Sequence, residues 1–553
     1  DESLYANNMS VIGLIQIDGV NQNSTSLEIG AFCGEEVRGS QLVQYIPELD
    51  KYLVFLTIHG DNENDEISFR LYNHETEEEL DLRSPEAITF AVNVTLGSVT
   101  SPYILNFNNM VEITASVNPS EAGVVTGTGI YAVYDTATLV TTPNEGFAFK
   151  NWTVNGNVVS TDSEYSFVVT EAVELVANYN YVQTRELKSG WSWFSSFIEF
   201  EGEEGLEMME DALGENGLQI KNQTEFVVNS NGAWYGSLMA ANSDMMFMLE
   251  TSAPQTFTLV GPKVNPEEHP LTVGTNWRWI SYPLDINLSV EEALATIVPQ
   301  TGDYIKSKNA FSQYYEGAGW LGALSTMNTG EGYMYQNVSG TTKTLVYPSE
   351  SATRSMKANV TAENNYWVPN AEKFAGNMSV IAVVESNGIE MSDYEVAAFV
   401  GDEIRGSARP IYIEVLDKHM IFMTVYGSGK EEVTFKYYDI NADAIENITS
   451  REEIVFADNA TYGSIENAIV LTCGVTGIGE NDTEALNVYP NPANINAEIS
   501  LGTTYDRVEI YNAIGVKIAE YSNVNKIDGI ETSGVYLIKA MNDEEARNCR
   551  IVI

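Results

Sequence analysis

Histidine is almost missing from this chain, which has four in 553 residues: His59, His74, His269 and His419. None stands in the H-E-x-x-H spacing that sets two imidazoles and a general base around zinc, and none neighbours a cysteine cluster. Zinc hydrolysis is therefore not expected. Cysteine is as scarce: Cys33, Cys473 and Cys549 are far apart and odd in number, so no disulfide framework is expected, although a Cys473 to Cys549 pairing stays open. Cations are few as well, 28 Lys and Arg against 78 Asp and Glu, for a net charge of -50. That balance excludes nucleic acid and anionic membrane surfaces as partners. No run of ~18 apolar residues exists, so no transmembrane segment is expected. Nucleophile elbow, P-loop and dinucleotide fingerprint are all missing. With so many acids, any glycosidase dyad would be a chance choice. No catalytic residue is assigned and no enzyme is expected.

What the chain does have is material for cores. It is 44% hydrophobic, with 30 Tyr and 20 Phe, so the acidity does not signal disorder. A single core rarely grows past ~250–300 residues, so several domains are expected. The opening residues, Asp1 to Tyr5, carry neither a basic region nor an apolar segment, as expected where a leader has been removed or further domains precede.

The chain repeats itself. Asn8-Met9-Ser10-Val11-Ile12 returns as Asn377-Met378-Ser379-Val380-Ile381, and Phe55-Leu56-Thr57-Ile58-His59-Gly60 as Phe422-Met423-Thr424-Val425-Tyr426-Gly427. Between these, Ala31 to Ser40 matches Ala398 to Ser407, which aligns Cys33 with Val400 and makes it a small buried hydrophobe. Both copies alternate polar and apolar residues between Gly, Asn and Asp turns, which predicts immunoglobulin-like or jelly-roll-like β-sandwiches. A second pair lies inside the first. Trp191-Ser192-Trp193 recurs as Trp277-Arg278-Trp279, Ile220-Lys221 as Ile305-Lys306, and Trp234 to Leu238 as Trp320 to Leu324. Each inner copy has one helical candidate, Gly205 to Leu213 and Val290 to Ile297, with acids in its first turn.

Two features invite a ligand. Asp61, Glu63 and Asp65 alternate, a spacing that can turn hard oxygens toward one calcium ion. The second copy has Gly427-Ser428-Gly429-Lys430 there, so the fold needs no metal, and a solvated hairpin is the competing reading. No other cofactor is expected. Exposed tryptophans could stack on sugars. Trp191 with Trp193, and Trp277 with Trp279, share a strand face and read as core. Trp234 and Trp320 follow Gly-containing turns and are the better ligand contacts.

Two segments carry a family resemblance. From Leu486 the chain runs through Val488-Tyr489-Pro490-Asn491-Pro492, an alternating hairpin turning at Gly515, a strand after Gly534 that includes Tyr536, and a last strand with Arg550. This resembles the type A C-terminal sorting domain of the Bacteroidetes type IX secretion system. The resemblance implies handling by that machinery, and a secreted or outer-membrane surface-attached protein. Residues 110–179, with Val117-Asn118-Pro119, Gly146-Phe147, Trp152 and Ala177-Asn178-Tyr179, are similar to the internalin B-repeat, a β-grasp-like surface module.

The expected fold is thus mainly β, a multidomain chain of β-sandwich and β-grasp-like modules with short helices in the two central repeats. The expected modules are 1–108, 109–181, 182–268, 269–350, 367–473 and 485–553, with linkers at 351–366 and 474–484. The function this predicts is non-enzymatic: an adhesin or structural component, with filament formation as one variant and other surface proteins, glycans or itself as partners. The alternatives are the non-catalytic C-terminal region of a secreted peptidase or glycosidase, and a carbohydrate-binding surface protein.

Overall fold

A computed structural model describes residues 4–349, 365–386, 388–473, 486, 488–512, 515–542 and 545–553. The linkers expected at 351–366 and 474–484 lie almost wholly outside these. At the end of the first, Tyr366 already belongs to the second sandwich, stacking on Tyr438 with ring centroids 4.2 Å apart. The chain is mainly β. Among the described residues the α-helices are Gly202–Leu213, which buries Leu206, Met209 and Leu213 along one stripe, and Val290–Ala293, which a Ser289–Glu292 capping box starts and which ends short of the expected Ile297.

In the first sandwich the strand Asn7–Ile17 is central, antiparallel to Lys51–Gly60 and parallel to Tyr103–Asn118. The facing sheet contains Glu66–Asn73, Leu27–Cys33 and Glu36–Leu42. Alternation sends Met9, Val11 and Ile15 into the core with Ile29, Leu56 and Phe69. The second sandwich repeats this register: Gly376–Ser386 is antiparallel to Lys418–Gly427 and parallel to Ile469–Cys473. Its central strand differs in one respect, because the outward Ile381 and Val383 are buried along with the inward Val380 and Val384. A sheet covered on both faces loses alternation. The second cover is the module spanning 269–350, whose Tyr304 and Phe311 pack on Ile381, Val383 and Phe422.

The module boundaries are crossed by unbroken strands. Tyr103–Asn118 pairs with the first sandwich through residues 103–107 and with Val173–Leu187 through residues 113–118. Val173–Leu187 in turn pairs with Phe147–Val154 and, from Tyr181 onward, with Gln255–Gly261 of the next module. Between these two bridging strands the B-repeat-like module packs two sheets around Trp152, Leu175 and Tyr179 without a helix. The parallel pairing of its first and last strands is its grasp-like element.

Candidate functional site

The C-terminal module is a four-stranded antiparallel sheet, ordered Lys517–Ile527, Ile499–Asn512, Val535–Asn542, Glu545–Val552. Its inward face carries Val508, Ile510, Ile538 and Ile551. The predicted hairpin is present, though residues 513–514 of its turn lie outside the described residues. Gly515 holds a φ of 77°, which a side chain would strain, and its N–H donates to Asn512 O. The segment from Val488 to Ala493 covers the outer edge of the last strand. Asn491 Nδ2 donates to Arg550 O at 2.7 Å, Val552 N donates to Asn491 Oδ1 at 3.2 Å, and Ala493 N donates to Val552 O at 2.8 Å. The prolines have no N–H to offer, so the Asn491 amide substitutes for the backbone and the edge is closed to foreign strands. Gly534 and Ile553 exchange both backbone bonds, and the Tyr536 hydroxyl donates to Thr532 O at 3.0 Å. Tyr489 and Arg550 remain exposed. On the outward face the Tyr511 hydroxyl, then Lys517 and Arg507, hold the Glu509 carboxyl below its usual range.

The other candidates are placed as follows. Asp61 Oδ1 accepts from Ala6 N at 2.8 Å, Asp65 Oδ2 lies 3.3 Å from Arg38, and Glu63 is exposed. Their oxygens are directed to different protein partners, and among the described residues no group of three His, Cys, Asp or Glu could hold a metal ion. Trp234 and Trp320 are half-buried and pack on the cores of their own modules, Trp320 edge-on to Tyr314 and Tyr335. The three cysteines are free.

Trp191, Trp193, Trp277 and Trp279 form an apolar seam between the two central modules, with Met246, Met248 and Met334. Beside it stands a residue that the sequence reading passed over. Lys306 is 1% exposed; its Nζ donates to Asn377 Oδ1 at 2.7 Å and Asn459 Oδ1 at 2.8 Å, and lies 4.6 Å from the centre of the Trp277 ring. It ties the module of 269–350 to the second sandwich. Burial pushes its amine down to about 7. The signal was available in the repeated Ile-Lys pair, a cation kept on a sheet strand in a chain poor in cations.

Residues 487–553 match the secretion system C-terminal sorting domain, and residues 113–183 match the divergent InlB B-repeat domain. The chain is a type IX secretion substrate. The type IX machinery handles this substrate through its sorting domain and exports it to the cell surface or the extracellular space. No curated protein matches it. Among the described residues no helix is long and apolar enough to cross a membrane.

Proposed function

We propose that this type IX substrate is a non-enzymatic surface scaffold, an adhesin or structural component whose modules are displayed in fixed relative orientation. The observation carrying this is the pair of bridging strands. Because Tyr103–Asn118 and Val173–Leu187 each hydrogen-bond into two modules, bending at either boundary would break sheet ladders. Small-angle scattering tests it. The exported chain should give one narrow distribution of intramolecular distances, and a Gly-Ser insertion after Asn109 should broaden it. A broad distribution in the uninserted chain refutes the reading.

A groove of about 590 Å³ beside the B-repeat-like sheet favours glycan contact as a second reading. Asn118, Asn178 and Asn151 form a row across three strands there, with Asn178 donating to Asn151 at 3.0 Å. Asn178 Nδ2 is engaged by Asn151, Thr153 and Val176, so it fixes the row, and acceptor capacity left on the carbonyl oxygens can meet a hydroxyl-rich ligand. A glycan array in which Asn178→Ala binds as well as wild type would count against it.

A further inference from the structure

The two sandwiches are duplicates and so are the two central modules; 182–268 touches the second sandwich through Lys188 with Glu372 and through Trp193 Nε1, which donates to Ala375 O at 3.0 Å, but the broad apolar contact is the one between 269–350 and that sandwich. There, Phe311 packs against Phe422 with ring centroids 6.0 Å apart, and Lys306 reaches Asn377 and Asn459. Every position of this contact has a counterpart in the first copies, set by the same strand register. Phe226 corresponds to Phe311, Tyr235 to Leu321, and Lys221 to Lys306. On the first sandwich Ile12, Leu14, Phe55 and Ile104 correspond to Ile381, Val383, Phe422 and Val470. Asn93 N donates to Asn8 O at 2.8 Å just as Asn459 N donates to Asn377 O at 3.0 Å.

These counterparts keep their apolar or cationic chemistry, with Gln219 at the place of Tyr304 as the exception, yet do not meet. Phe226 is 45% exposed, Tyr235 61% and Ile104 46%, whereas Phe311 is 1% exposed and Phe422 3%. Lys221 stands 4.7 Å from the centre of the Trp191 ring, repeating the pose of Lys306 over Trp277; it is half-buried, with the charges of Asp458 and Glu250 acting on it, but among the described residues nothing accepts a hydrogen bond from its ammonium. Asn8 is exposed and Asn377 is buried. Nor can they meet within one molecule. The B-repeat-like module separates them, and the bridging strands of 16 and 15 residues, rising ~3.3 Å per residue, hold the two ends apart.

We propose that the module of residues 182–268 in one molecule docks on the outer face of the first sandwich of another, reproducing between molecules the contact that 269–350 makes within one. The two surfaces are different, so the contact is heterologous and propagates head to tail. This rests on the scaffold reading and supplies its means of assembly. The faces are apolar on a chain of net charge -50, so salt, by screening repulsion, strengthens the association.

Sedimentation velocity on the full chain, over a range of concentrations and ionic strengths, tests this together with Phe226→Asp and Ile104→Asp. The wild type should form species that grow beyond a dimer with concentration and salt. Each variant alone should lose this growth. Mixed in equal amounts they should form a dimer and stop, because each retains one competent face. If either variant lacks the wild-type circular dichroism spectrum, Tyr235→Asp and Asn8→Lys, both at exposed positions, replace them. A wild type that stays monomeric, a folded variant that still grows, or a mixture without a dimer overturns the proposal. A monomer that still scatters with one narrow distance distribution would do so while leaving the scaffold reading intact.

Discussion

Replacing Lys306 by Met keeps most of the side-chain volume and removes the buried charge. The wild-type amine titrates near 7 in the fold and near its ordinary 10.5 when unfolded, because burial disfavours the ammonium. Between those values the unfolded chain binds a proton that the fold does not, so stability rises with pH by about 1.4 kcal/mol per unit. Below 7 both states are protonated and the full penalty applies; above 10.5 neither is. Wild-type stability should therefore climb relative to Lys306→Met across this window, by a total on the order of 5 kcal/mol. Three oxygens and two indole faces favour the ammonium and work against burial, so the rise can only be smaller than this figure. The assay is urea unfolding followed by tryptophan emission, since Trp193 and Trp277 flank the amine and report the unit it belongs to. Wild-type and variant midpoints should diverge steadily from pH 7 to 10. Midpoints that stay parallel would refute the reasoning.

Asn491→Ala removes two of the three bonds that cover the last strand, so the C-terminal module should lose about 1–3 kcal/mol and less chain should appear outside the cell, read by melting and by immunoblot of the medium. Gly39→Ala should destabilise the first sandwich by roughly 1–3 kcal/mol, since a Cβ there would stand 2.0 Å from Thr57 O. Gly406→Ala should do the same to the second, where the clash with Thr424 O is at 2.4 Å, and hydrogen exchange should assign each loss to its own sandwich. Trp234→Ala should lower the melting temperature of its module, because the ring packs on Gly217 and the core; an unchanged melt would mark the ring as a surface contact.

Much of the architecture was legible in local pattern. Alternation with Gly, Asn and Asp turns is a property of single strands, so the sandwiches, their duplication and the two helices could be read from residues alone. The sorting domain was equally legible, because Val488-Tyr489-Pro490-Asn491-Pro492 and the strands after Gly515 and Gly534 occur in a fixed order. The role of Asn491 was not, since its partners at Arg550 and Val552 are distant in sequence. Asp61, Glu63 and Asp65 had the spacing of a cation loop, but Ala6 and Arg38 take up two of their carboxylates from elsewhere in the fold. Trp234 and Trp320 follow turns, as exposed rings do, yet their rings lie back on their own cores.

The central strands make the division plain. Val11 to Ile15 and Val380 to Val384 are both apolar runs, and nothing within either says whether its outer face will be covered. By itself the sequence determined what each segment forms and that the segments are repeated, because strand and turn formation depend on neighbours a few residues away. Only the tertiary structure decided that one copy is buried on both faces and the other on one, that Lys306 is enclosed while Lys221 is half-buried, and that strands run unbroken from module to module. Those outcomes depend on which surfaces meet across hundreds of residues, and periodicity carries no record of that.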